Sequence, residues 1–499
     1  MTLNTMTKSA ERLMGGARKW QSEAFSEWVG LSEMDVHGNT VSTEKQRGVA
    51  AVATGGGKTY LAMMVSNDWV RVHGDDAVVI LVAPGGNLCN QHYRSFRDKG
   101  LTGGRYFTGY KEVSRRNLYI TTYHSLKHVL KLKNVVGRKC LLILDECHKA
   151  GATGSRRTLL ANDEMFDAVL GLSATPERGD GVDVMHFLKA PIFFRLSLME
   201  AQVQSKGEEA ANRFRLNVVT VEPSLSEQAI LQDLNDRIKV AYHSARNAVE
   251  KAGGQPNNLM WKFNEGLPLV PIQLPTGEKM CPLQHYKNLT QRRKRVENDI
   301  EQRYWVAQHL LHHNLGKKMM LFHHSIIGVE RINVMCKDNG MMPHIYHTGS
   351  THFNNASWLH AYPELQDPVV QMRIENYANE APASFRRWTR SINDILLSVK
   401  ALGEGIDVPD LDSVIMLSGT NNHRSRVQTI GRVFRGHKDK EAWMVVMKGS
   451  AGDARCLQKI IEECGFGPQH IVRHKGSDFA PIPADEDLSW LLDNTEVNQ

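Results

Sequence analysis

The chain has 499 residues, of which 41% are hydrophobic and 23% charged, with a formal net charge of +7. These proportions are those of an ordinary globular protein and exclude disorder throughout. The length favours more than one folded unit, and the modest positive charge permits a polyanionic partner without demanding one. The cysteines, Cys89, Cys140, Cys147, Cys281, Cys336, Cys456 and Cys464, form no CxxC pair. That removes sequence support for a cysteine zinc site and fits reduced thiols in a cytoplasmic compartment. The first residues lack an apolar signal core, and no apolar run approaches the roughly 20 residues that span a bilayer, so no membrane partner is expected.

In chain order, short apolar runs recur and stop abruptly. Val49–Ala53 runs into a Gly-rich turn, Val78–Val82 stops at Ala83-Pro84, and Leu118–Ile120 leads into Thr121-Thr122. Leu141–Leu144 stops at Asp145, and Val169–Leu172 leads into Ser173-Ala174-Thr175. Unbroken apolar runs suit parallel strands covered on both faces, and helical patterns such as Tyr60–Val72 lie between them. Phe214–Val221 predicts another strand, followed by helical stretches near Ser226–Lys251 and Gln291–His313 with a loop or small insertion between. A second strand series follows at Lys318–Phe322, His344–Tyr346, Ile395–Val399, Val414–Leu417 and Trp443–Met447. The expected fold class is α/β, two similar parallel-sheet units in series joined by a helical region.

The turn Thr54-Gly55-Gly56-Gly57-Lys58-Thr59 sits between a strand and a helix. Such a turn aims backbone N–H groups and a helix N-terminus at an anion. Lys58 is placed to reach the terminal phosphates of a nucleotide, and the Thr59 hydroxyl to ligate Mg2+. The general pattern opens with another glycine where this chain has Val52. Asp145-Glu146-Cys147-His148 supplies the complement: Asp145 as a magnesium carboxylate at a strand end, Glu146 as the group that orients or deprotonates water. The bland alternatives are a Gly-rich turn with an incidental lysine and a solvated acidic turn after a buried strand; together the two features define a site for ATP and Mg2+.

At these residues the chain resembles the superfamily-two DExH helicases, over most of Arg18 to Gly436. Arg18-Lys19-Trp20-Gln21 resembles the adenine-recognition element, with Gln21 the base reader. The resemblance accounts for Val52, because the family tolerates the missing glycine. It implies nucleic-acid contacts at Pro84, Thr121 and Thr122, and a coupling role for His148, Ser173 and Thr175. In the second half, Leu321-Phe322-His323-His324 resembles the fourth motif, and His347, Thr348 and Gly349 are further nucleic-acid candidates. The segment 401–409 resembles the fifth motif, with Gly405 and Asp407 at the nucleotide, and 428–435 the sixth. Ser173–Asp180 and Pro191–Leu198 are similar to the branch containing XPB-type, UvsW-type and type III restriction-subunit helicases.

The resemblance implies two tandem RecA-like domains, expected at 1–205 and 316–460, with a connecting strand and helical region at 206–315 and a tail at 461–499. It implies an ATP-dependent helicase or translocase of a bacterial or phage-infected cell, acting on DNA in preference to RNA, in repair or recombination. A nuclease or recombination factor is a conceivable protein partner. The alternatives are an RNA-dependent ATPase, or a nucleotide-gated subunit that recruits an effector. Arg292–Arg295 is read as a solvated helix face, and Trp388 as a packed residue. The pairs His312-His313 and His323-His324 lack a metal spacing and are read as packing.

On a helix, Gln428, Arg432 and Arg435 share one face, at i, i+4 and i+7. Guanidiniums on that face would meet the γ-phosphate across a cleft, a contribution of about 10³–10⁵ in rate in phosphoryl transfer. Arg435→Ala is therefore expected to abolish nucleic-acid-stimulated ATP turnover while leaving ATP binding largely intact. Steady-state hydrolysis measured beside a nucleotide-binding titration checks this, and near-normal turnover would refute the role.

Overall fold

The computed structural model describes residues 16–31, 46–53, 56–101, 103–113, 117–177, 182–206, 214–254, 259, 269–274, 276–347, 366–376, 381–399, 411–417, 439–465, 467–468, 470–475 and 478–481. Among the expected site residues, Thr54, Gly55, Thr348, Gly349, Gly405, Asp407, Gln428, Arg432 and Arg435 lie outside them.

The N-terminal half is built on an eight-stranded sheet. Its strands are β1 (Gln46–Val52), β2 (Ala77–Ala83), β3 (Gly104–Phe107), β4 (Tyr110–Lys111), β5 (Leu118–Thr122), β6 (Lys139–Asp145), β7 (Ala168–Ser173) and β8 (Ile192–Leu196). Their order is β4-β3-β5-β2-β6-β7-β1-β8, parallel throughout except where β4 turns back on β3. β2 is buried along its whole length. Alternate residues feed two cores: Val79 and Leu81 join Ile143 and Leu61 on one face, while Val78 and Ile80 join Leu142 and Val169 on the other. Helices α1 (Lys19–Gly30), α2 (Lys58–His73) and α3 (Gly86–Asp98) belong to this half.

The C-terminal half repeats the scheme with β9 (Phe214–Val221), β12 (Met319–His323), β13 (His344–Tyr346), β14 (Ile395–Val399), β15 (Ser413–Met416), β16 (Lys440–Met447), β17 (His470–Lys475) and β18 (Asp478–Pro481). The order is β13-β14-β12-β15-β16-β9-β17-β18, and among the described pairs of this sheet only β17–β18 is antiparallel. Phe214–Val221, grouped with the connecting region on sequence, is hydrogen-bonded inside this sheet between β16 and β17. The segment expected as tail contributes β17 and β18. The loop expected after the first long helix holds a small antiparallel pair, β10 (Ile272–Gln273) and β11 (Lys279–Met280).

Between β9 and β12 in sequence run α4 (Leu225–Lys251) and α5 (Pro282–Asn298), packed on each other through residues including Leu234, Ala241 and Leu289. Ser224 caps α4, its hydroxyl accepting the Glu227 N–H while Glu227 reaches back to the Ser224 N–H, which satisfies two N–H groups the helix itself cannot. Helix α6 (Glu301–His313) lays Tyr304, Val306, Leu310 and Leu311 on the second sheet. Trp388 is fully buried and donates its indole N–H to the Asp394 carbonyl. No described helix is long and apolar enough to cross a membrane. Cys89, Cys140, Cys147, Cys281 and Cys336 are free thiols.

One buried charge pair locks the second half. Arg303 on α6 is fully buried; its Nη2 donates to Asp453 Oδ2 at 2.5 Å and its Nη1 to the carbonyls of Leu417 and Val445 at 2.6 and 2.9 Å. Asp453 also accepts the Met447 N–H at 3.0 Å. A guanidinium removed from water is tolerable only with these acceptors in place. Asp453→Ala leaves it buried without its carboxylate and is expected to cost about 3–5 kcal/mol, read as a lowered urea midpoint at unchanged slope.

Candidate nucleotide-binding site

Parallel strands deliver their carboxyl ends to one edge of the sheet. In register, Ala51 of β1 pairs with Ser173 of β7, and Leu172 pairs with Asp145 of β6. The Gly-rich turn, the Asp145-Glu146 pair and the Ser173–Thr175 segment therefore meet along one short stretch of that edge.

Gly57 caps α2 with φ +106°, and a Cβ there would lie 2.7 Å from Gln21 Nε2. A Cβ on Gly56 would lie 2.8 Å from Val52 Cγ1. Both positions therefore require glycine. The second contact also explains Val52, whose side chain fills the space beneath the turn. Lys58 Nζ donates to the Val52 carbonyl at 3.0 Å, which holds the ammonium against the loop.

The upstream element grips the same loop. Arg18 Nη1 donates to the Gly56 carbonyl at 2.8 Å and Gln21 Nε2 to the Gly57 carbonyl at 3.1 Å. Gln21 Oε1 accepts the Arg18 N–H at 2.8 Å. Gln21 is 3% exposed, so both ends of its amide are engaged by the turn and by its own helix start. Arg18 is a loop-holding residue that the motif did not single out.

Asp145 and Glu146 are both buried. Asp145 Oδ2 is bonded to His92 Nε2 at 2.8 Å, and Oδ1 accepts the Glu146 N–H at 3.1 Å. Burial opposes ionisation of Asp145, but the His92 hydrogen bond and charge, with the Lys58 charge and the Glu146 N–H, outweigh it and hold the carboxyl below its usual range. Glu146 has φ +49°, a left-handed backbone that is strained for a residue with a Cβ. Tyr123 Oη fixes this corner by donating to the carbonyls of Asp145 and Glu146 at 2.9 and 3.3 Å. Glu146 Oε2 accepts from Ser173 Oγ at 3.4 Å, Ser173 Oγ lies 3.2 Å from His148 Nδ1, and the Thr175 N–H donates to that hydroxyl at 3.1 Å. The four expected residues Glu146, His148, Ser173 and Thr175 thus form one buried chain of contacts.

The residues are suited to ATP and Mg2+. A helix N-terminus with a lysine behind a glycine turn suits phosphate. A carboxylate held ionised and the Thr59 hydroxyl, on the first turn of α2, are the hard oxygen donors that magnesium takes.

The nucleic-acid candidates separate. Pro84 and Thr122 are half-buried. Thr121 is fully buried and donates its hydroxyl to the Tyr106 carbonyl at 2.5 Å. His347 is 2% exposed, with Nε2 at 3.0 Å from Glu330 Oε1 inside the second half. The structure brings neither Thr121 nor His347 to the surface. His92, which the sequence did not flag, lies on α3, where Cys89 three residues earlier touches the Thr121 carbonyl through Sγ at 3.2 Å.

Residues 15–178 match the family model described as "Type III restriction enzyme, res subunit", and residues 302–437 match "Helicase conserved C-terminal domain". The chain is 23% identical over 457 residues to the DNA 3'-5' translocase XPB2 of Sulfurisphaera tokodaii, covering 87% of this chain and 82% of that one. It is 23% identical over 440 residues to Putative helicase 22 of a Sulfolobus islandicus filamentous virus, covering 85% of this chain and 62% of that one. Among solved structures, the ATP-dependent Type ISP restriction-modification enzyme LlaBIII bound to DNA shares the fold over 95% of this chain and 32% of its own, with a TM-score of 0.52 at 13% identity. With two mostly parallel sheets in tandem and helicase motifs along both, the chain belongs to the superfamily-two helicases of the XPB and ResIII branch, which are ATP-hydrolysing enzymes acting on nucleic acid.

Proposed function

We propose that the enzyme is a DNA-dependent helicase or translocase that remodels duplex or branched DNA, with ATP hydrolysed at the carboxyl edge of the first sheet. The observation that carries DNA over RNA is the alignment, along 87% of this chain and 82% of the relative, with a protein named as a DNA translocase. Lys58 and the turn N–H groups bind the phosphates, Thr59 and Asp145 hold Mg2+, and Glu146 orients the attacking water. Bound there, magnesium would neutralise charge on the terminal phosphates. Arg432 and Arg435, from the second half, complete the site, so hydrolysis depends on closure.

Coupling to the strand runs through α3. The helix begins two residues after Pro84 and turns one face inward, where Cys89 meets the end of β5 and His92 meets Asp145. Residues three apart on a helix lie side by side on one face, so Cys89 and His92 shift with α3 as a unit. A strand pulling on the Pro84 turn therefore displaces the imidazole that orients the Asp145 carboxylate. On the other side of Asp145, Ser173 links Glu146 to the Thr175 segment. Pro84 and Thr122 in the first half, and Thr348 and Gly349 in the second, are the contacts proposed for the backbone of the strand.

ATP hydrolysis measured with single-stranded, duplex and forked DNA and with RNA, alongside strand displacement, tests the partner. Stimulation by DNA is expected; stimulation by RNA alone would sink the DNA reading, and indifference to every nucleic acid would count against a motor. Binding by such contacts together with basic side chains releases counterions, so stimulation should weaken as salt rises. His92→Ala is expected to lower kcat about 10–100-fold, the range for loss of a residue that orients a metal-binding group, and to raise the Mg2+ concentration needed for half-maximal rate. An unchanged magnesium dependence would remove His92 from the coupling path.

A further inference from the structure

At the carboxyl end of β12, three potential ligands converge from two separate elements. His323 is the last residue of the strand, His324 follows it, and Asp299 occupies the turn between α5 and α6. Asp299 Oδ1 lies 3.5 Å from His323 Nε2, and Oδ2 lies 3.5 Å from His324 Nε2. One ligand atom from each of the three residues lies within 4.8 Å of the others. A separation of 3.5 Å is too long for a good N–H···O bond, which runs about 2.7–3.2 Å. It is close to the edge of a tetrahedron around zinc, about 3.4 Å for ligands at roughly 2.0–2.1 Å.

The surroundings are built for the imidazole. His323 is 1% exposed, and its Nε2 has no hydrogen-bond partner among the described residues. A buried ring nitrogen aimed at a carboxylate that it does not hydrogen-bond is costly unless something bridges the two. Gly328 of the following helix, α7 (Ile326–Asp338), makes room for the ring: a Cβ there would fall 2.0 Å from His323 Cε1 and Nδ1. His323 Nδ1 lies 3.2 Å from Ser325 Oγ and 3.4 Å from the Ser325 carbonyl. Either acceptor can take an Nδ1–H and leave the Nε2 lone pair for an ion; the Ser325 N–H, 3.2 Å from the same nitrogen, favours the other tautomer until an ion binds. Tyr304 Oη donates to Asp299 Oδ1 at 2.8 Å and so orients the carboxylate, as partners of metal ligands do.

We propose that Asp299, His323 and His324 form a binding site for a divalent transition-metal ion, zinc by its donor set, that staples the turn between α5 and α6 to the end of β12. Two imidazoles and a carboxylate suit zinc and its neighbours rather than magnesium. The side chains of Asp299 and His324 keep 22% and 17% of their exposure, which gives the ion a path in and leaves room for a fourth ligand from solvent. The ion would fix the end of α5, with its basic run Arg292–Arg295, to the sheet edge where β14 and β15 also end.

The test uses the full chain, stripped with a chelator and titrated with Co2+ and then Zn2+. One equivalent of Co2+ with a ligand-field spectrum, displaced by Zn2+, is expected, together with a Zn2+-dependent rise in Tm. His324→Gln and Asp299→Asn, both at partly exposed positions and close in shape to the originals, should each weaken binding at least about tenfold. His312→Gln, in the other histidine pair, should leave the spectrum unchanged. Absence of a stoichiometric Co2+ spectrum in the wild-type chain, or a spectrum that survives both ligand substitutions, would overturn the site.

Discussion

The contact between His92 Nε2 and Asp145 Oδ2, 2.8 Å long and buried, sets the terms for the rest of the first half. A carboxylate at the end of a central parallel strand has lost most of its water, and burial alone would favour its neutral form. A group meant to hold a cation must stay ionised. The chain meets that need with an imidazole from one side, the Lys58 charge from another and the Glu146 N–H from the backbone. Each donor comes from a different element, so the charge state of Asp145 depends on where α2, α3 and the Glu146 turn stand. A site arranged in this way responds to movement at any of the three, which a motor requires.

The strained positions have the same logic. Glu146 at φ +49° and Gly57 at φ +106° flank the place proposed for the phosphates and the attacking water. A left-handed backbone at a residue with a Cβ persists only where its surroundings over-determine it. Here Tyr123 holds the carbonyls of Asp145 and Glu146, and the Lys149 N–H donates to the Glu146 carbonyl at 2.8 Å. Gln21 and Arg18 do the equivalent for the Gly-rich turn by binding its carbonyls. The described carbonyls of the turn are thereby claimed, and the Gly56 N–H donates to the Ala53 carbonyl at 3.0 Å.

Much of this was legible in the sequence, and the parts that were not share a cause. The strands β2, β6 and β7 announce themselves because a strand covered on both faces must be apolar at every position, and such runs are short and bounded by polar turns. β17 and β18 do not: His470-Ile471-Val472-Arg473-His474-Lys475 at the sheet margin carries too few apolar residues to stand out. The motifs marked Thr121 and His347 by position, but position in a motif says nothing of depth. The alternation of a strand turned Thr121 inward onto the Tyr106 carbonyl, and Glu330 took up His347. His92 and Asp299 escaped notice because their partners are 53 and about 24 residues away. Contacts between a helix face or a turn and a strand end leave no local spacing to read.

The two halves place their buried polar groups in the same way, and this bears on why the sheet edges rather than the cores carry the chemistry. In the first half, Asp145, Glu146, His148 and Ser173 gather where β6 and β7 end. In the second, Arg303 binds the Leu417 carbonyl just past β15, and His323 closes β12. A parallel sheet covered by helices leaves no water along its length, so a polar side chain within a strand must find its partner inside the protein. At the carboxyl edge the chain turns into loops and helix starts, where spare N–H and C=O groups are concentrated. Charged groups can be satisfied there without unpicking the ladder. The edge is thus the one region of an α/β sheet where ionised side chains are both affordable and adjustable, and it is where a change in one loop is felt by every group along it.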